Sequence, residues 1–127
     1  MRRRAINSGS APAATGGYSQ AVETSGATRV LYISGQIPVD VDGRAPATFK
    51  EQCRLAWKNV EAQLHAADMT LDDLVKVTAF LADRRYAMEN REIRQEILGD
   101  RSPALTVIIT GIFDQAWLVE IEAIAAA

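Results

Sequence analysis

Three places in the chain hold side chains that could do chemistry. Gly16-Gly17-Tyr18-Ser19-Gln20 sets a phenol directly after two glycines, whose freedom allows a tight backbone path. The same residues would also serve as a flexible turn with an ordinary tyrosine. Asn90 falls in line with Tyr86, Ile93 and Ile97 at helical spacing, which puts a carboxamide in an apolar stripe. A buried amide must find partners, since an unpaired polar group costs about 1–3 kcal/mol. It could line a ligand site or simply bond nearby backbone. Glu120 and Glu122 stand two apart, on a strand face shared with Leu118 and Ile124. A carboxylate among apolar neighbours can act as a general base; on a rim or an edge strand both would be merely solvated.

Other candidates offer less. Cys53 lies on the apolar stripe of a helix and reads as a core thiol, and His65 sits one position off that stripe, facing water. One cysteine and one histidine cannot build a zinc site, so no metal is expected. No phosphate loop or nucleotide fingerprint is present, and no cofactor is expected.

These residues need elements to hold them. Short strands are expected over 18–24 and 29–36, with Gly26 between them as a turn, and a loop over 38–47. Thr48 with Glu51 can form a capping box for a helix over 48–67, whose stripe is Phe49, Cys53, Ala56, Trp57, Val60, Leu64 and Ala67. Thr70 and Asp73 can cap one short turn. A strand follows over 74–81, with Val75, Val77, Ala79 and Leu81 on one face and Lys76, Thr78 and Phe80 on the other. Asp83 caps a second helix over 84–98, which Gly99 can end. Strands over 104–110 and 117–125 complete the order β-β-α-β-α-β-β. Residues 5–17 read as a loop or weakly ordered arm. This order suggests an α+β domain, one mixed sheet with both helices on one face. The segment 104–110 is apolar on both sides, so its far face needs cover and an oligomer is expected.

The whole chain, 127 residues, reads as one domain. Its net charge of -2 argues against a nucleic-acid partner. No apolar run reaches the ~20 residues of a bilayer span, and no apolar segment follows Arg2-Arg3-Arg4 to make a signal peptide. A single cysteine allows no internal disulfide. The reading is a cytoplasmic protein with no membrane partner.

In order along the chain come APAATGGYSQAV (11–22), LYISGQIPVD (31–40), KNVEAQLHAADMTLDDLVKVTAFLAD (58–83), Asn90, SPALTV (102–107) and VEIEAIA (119–125). Taken together, in this order and spacing, they resemble the RidA/YjgF family, the reactive-intermediate deaminases also called endoribonuclease L-PSP. The resemblance runs from about Ala11 to Ala125. It implies a chorismate-mutase-like fold, about six strands with two helices on one face. It further implies a homotrimer whose intersubunit clefts bind a small molecule. In deaminating members such clefts hydrolyse imines or enamines of amino acids. An arginine in a Pro-Ala-Arg motif holds the carboxylate, a glutamate on the last strand activates water, and a tyrosine and an asparagine line the site. By position these are Tyr18, Asn90 and Glu120.

The chain departs from this pattern at the arginine. Pro103-Ala104 is followed by Leu105, and Val107 stands where many members carry cysteine. Gly17 replaces the usual proline before the tyrosine. Residues 105, 107 and 109 would share one face, leaving that wall of the cleft aliphatic. Leucine offers an anion no donor to offset its desolvation. The expected function is therefore a RidA-like hydrolase, deaminase-like, acting on an imine, enamine or related metabolite. Standard 2-imino acid activity should be weak or absent. The alternatives are a non-catalytic ligand-binding or regulatory trimer, and, with least support, the ribonuclease or translation-inhibitor role of the family name.

Overall fold

The computed structural model describes all 127 residues. Six strands and two α-helices run β1 (Arg2–Ile6), β2 (Ala21–Ser25), β3 (Val30–Gln36), α1 (Phe49–Ala66), β4 (Leu74–Leu81), α2 (Ala87–Leu98), β5 (Ala104–Ile109) and β6 (Val119–Ala126). The first helix lies where its cap and stripe place it, whereas the second begins at Ala87, three residues later than expected and without a side-chain cap. The Thr48 side chain accepts from the Glu51 amide, and Phe49, Cys53, Ala56, Trp57, Val60 and Leu64 are buried. Asp83 caps a single 3₁₀ turn over Arg84–Tyr86 that leads into α2, and Gly99 leaves the helix at φ 59°.

The six strands divide into a four-stranded sheet, ordered β3-β6-β4-β5, and a β1-β2 ribbon. All pairings in the larger sheet are antiparallel except β4 with β5, which α2 connects. Parallel neighbours need such a crossover. One face of β4 and β6 is sealed under the helices by Val77, Leu81, Val119, Ile121, Ala123 and Ala125. A bulge between Leu74 and Lys76 turns Leu74 inward, so Leu74 rather than Val75 is fully buried at that end. Gln52 ties the loops together. Its amide donates to the carbonyls of Pro46 and Ala116 and accepts from the Leu118 amide.

Sequence reading places no strand before Tyr18, yet β1 occupies Arg2–Ile6 and pairs antiparallel with β2. Every residue of β1 is exposed, so it carries no alternation to read. The ribbon is held by its ladder, by the Arg4–Glu23 ion pair and by an Arg3 guanidinium donating to the Asp72 carbonyl.

The outer face of the main sheet is uncovered, as the pattern of 104–110 implies. Tyr32 is 75% exposed there, and Ile108 on the edge strand 38%. A hollow of about 310 Å³ runs between Tyr32, Ser34, Lys76, Thr78, Glu122 and Ile124 on that face.

Candidate functional site

Four of the five expected site residues surround one cleft. Tyr18, Asn90, Leu105 and Val107 line a space of about 450 Å³ between α2 and the helix-side face of β5. Cavities of this order hold small metabolites. Leu105 and Val107 stand opposite Val77 and Ala79 of β4, so their side chains point to the helices. They form the aliphatic wall expected of the missing arginine. Ile109 does not reach this lining.

Tyr18 is positioned by its neighbours. Ser19 is buried, its hydroxyl donating to the Ser102 carbonyl and its amide to Pro103, which pins the segment beside the start of β5. Before it, Gly16 and Gly17 take φ values of 112° and 75°. Proline cannot adopt such a φ, so the usual residue at position 17 would not fit this path. The Tyr18 phenol sits below its ordinary pKa, chiefly through hydrogen bonding from the Thr15 side chain and backbone, with smaller contributions from the Arg94 and Arg91 charges.

Asn90 is buried, and its carboxamide oxygen accepts a long contact from the Cys53 thiol at 3.9 Å. Burial pushes the Cys53 thiol up to about 12.

Glu120 lies elsewhere. It faces Phe80 across the β4-β6 ladder, on the outer face of the sheet, whereas Leu105 and Val107 point inward. Within one chain, the carboxylate and the cleft are on opposite sides of the sheet. Glu120 lies flat against β3 at Gly35, beside the irregularity between Ile33 and Gln36. A Cβ at Gly35 would fall on its carboxylate oxygen Oε2.

Two charged residues that sequence reading passed over stand beside Tyr18, Asn90, Leu105 and Val107 in the cleft. Arg91 and Arg94 of α2 also line it, and no carboxylate does. Arg91 donates to the Thr15 carbonyl at 3.2 Å. Arg94 is only 6% exposed and has no ion-pair partner. Its Nε is sealed from solvent without a hydrogen bond. Burial, and then the Arg91 charge, lower its pKa. The available signal was the i,i+4 spacing from Asn90. Arg101, by contrast, points away, paired with Asp72 at 2.7 Å. No group of three His, Cys, Asp or Glu side chains comes together to hold a metal ion, and no helix is long and apolar enough to cross a membrane.

The comparisons agree with this architecture. The chain is 36% identical over 117 residues to a RutC family protein of Pyrococcus horikoshii, covering 91% of this chain and 90% of that one. It is 35% identical over 125 residues to the mouse 2-iminobutanoate/2-iminopropanoate deaminase, covering 97% and 90%. Escherichia coli TdcF, solved with bound serine, superposes with a TM-score of 0.72 at 30% identity, covering 98% of each chain. A Rid family protein of Yersinia pestis gives 0.84 at 23% identity over the whole of both chains, a likeness of fold. The family model described as Endoribonuclease L-PSP matches residues 8–127. The chain therefore belongs to the RidA/YjgF, or endoribonuclease L-PSP, family.

Proposed function

We propose that the chain forms a homotrimer whose intersubunit clefts bind and hydrolyse a small imine, enamine or related metabolite. The observation that carries this is the division of the site between two faces of one sheet. Tyr18, Asn90, Leu105 and Val107 line the inner cleft, and Glu120 stands on the outer face. A neighbouring copy, docked through its outer face, would bring its Glu120 to the cleft. The uncovered outer face supports that docking, and the mouse relative's name supports the reaction class.

In this reading Glu120 takes a proton from water as the oxygen attacks the imine carbon. The nitrogen gains a proton, the carbinolamine collapses, and ammonia leaves behind a carbonyl compound. The Tyr18 hydroxyl and the Asn90 amide orient the substrate. Leu105 sets this chain apart from the 2-imino acid deaminases, because the strand wall presents no guanidinium to a carboxylate. A charge-assisted bond of that kind contributes about 1.5–3 kcal/mol, roughly tenfold to hundredfold in capture.

The test is release of ammonia or keto acid from enzymatically generated 2-aminoacrylate. Wild type should be slow and Leu105→Arg at least about tenfold faster. Glu120→Gln in that background should lose on the order of 100-fold or more, since an amide is no base. Robust wild-type turnover would refute the role given to Leu105. A folded, trimeric but inert Leu105→Arg protein would favour a ligand-binding trimer without catalysis.

A further inference from the structure

We infer that Arg94, on the helix wall of the cleft, is the anchor for a carboxylate ligand in place of the arginine absent at position 105. A guanidinium stays charged in any protein environment. Enclosing it without a counter-charge is strongly unfavourable, so buried charges are normally paired. Arg94 is 6% exposed, makes no ion pair, and keeps a sealed Nε without a partner. The neighbouring Arg91 adds a second positive charge one turn away, which is repulsive at this spacing. Of the other acids of α2, Glu92 pairs with Lys50 and Glu96 with Arg54, and Glu89 does not line the cleft. Within one chain, two cations thus stand against one cleft with no anion among the lining residues, and the neighbour's Glu120 in the proposed site is the base that activates water.

The rest of the lining defines the ligand. Leu105, Val107, Ala87 and Met88 are apolar, Tyr18 is aromatic, and Gln20 and Asn90 add two amides. The chemistry that fits is a monocarboxylate with an apolar or aromatic body, its carboxylate on Arg94 and its body along the β5 wall. The anchor has moved from strand to helix, so the carboxylate is held on the wall opposite the family's position. Three-carbon imino acids, which need the strand-side anchor, fit this arrangement poorly.

The inference rests on the cleft being the ligand site proposed above, and not on hydrolysis. It is tested by calorimetric titration of the intact protein with benzoate and its neutral isostere benzamide at low salt. Benzoate should bind at least about tenfold tighter than benzamide and weaken as salt is raised. Arg94→Met should lose that preference, while Arg94→Lys keeps part of it. Equal binding of benzoate and benzamide, no benzoate binding at millimolar concentration, or unchanged binding in Arg94→Met overturns the inference. So does a lowered melting temperature with loss of assembly, which would make Arg94 the partner of a carboxylate across the interface. Benzoate binding that depends on Arg94, together with a folded, trimeric Leu105→Arg protein inert on 2-aminoacrylate, would leave this inference standing and remove the hydrolase reading. Turnover without an Arg94-dependent anion preference would do the reverse.

Discussion

Cys53 and Asn90 share a buried corner beneath the cleft, and the thiol there is held protonated. The folded protein keeps its proton up to about pH 12, while an unfolded cysteine loses it near 9. A folded pKa raised in this way contributes stability that is whole below the unfolded value and is lost as pH rises above it. The unfolding free-energy difference between wild type and Cys53→Ala should therefore shrink between about pH 9 and 12, by at most about 1.4 kcal/mol per pH unit. Urea denaturation at several pH values measures it, and a difference independent of pH would contradict the burial argument. Residues of this kind are legible in sequence, because a helical stripe places Cys53 and Asn90 inward whatever they pack against. Arg94 was not legible. Arginine is mostly exposed in proteins, so one beside an apolar stripe is assigned to water by default. Its place in the cleft depends on the Gly16-Gly17 path and on β5, both distant from it in the chain.

Among the elements, β5 has the most to do. It closes the cleft with Leu105 and Val107 on one side and presents Thr106 and Ile108 on the other. Its outer side should meet a neighbouring subunit. Ile108→Glu places a charge in that contact without touching the cleft lining or the helix-side core. Light scattering should then show the loss of particles near three times the subunit mass of 13.8 kDa, with the circular dichroism of the helices retained. An unchanged assembly would remove this face from the interface. The two-sided apolar character of β5 is explicit in ALTVII, which is why an oligomer could be expected from sequence. The strand β1 was hidden for the opposite reason. Arg2-Arg3-Arg4 buries nothing, and its order comes from the ladder to β2 and from contacts with Glu23 and Asp72. A two-stranded ribbon is marginal in isolation, so such ties matter.

At the scale of the molecule, the sheet acts as a partition. Its inner side carries Tyr18, Asn90 and Arg94, and its outer side carries Glu120 seated on Gly35. Sequence resemblance grouped Tyr18, Asn90 and Glu120 as one site, because position along a chain says nothing about which side of a sheet will be used in an assembly. The partition has a genetic meaning. In the proposed trimer each working cleft belongs to a junction and draws its parts from two gene products. Lesions at Tyr18 and at Glu120 damage different contributors, so a cell carrying one allele of each would build some mixed trimers with an intact junction. Those two alleles should complement one another. Alleles altered at Tyr18 and Asn90, which damage the same contributor, should not.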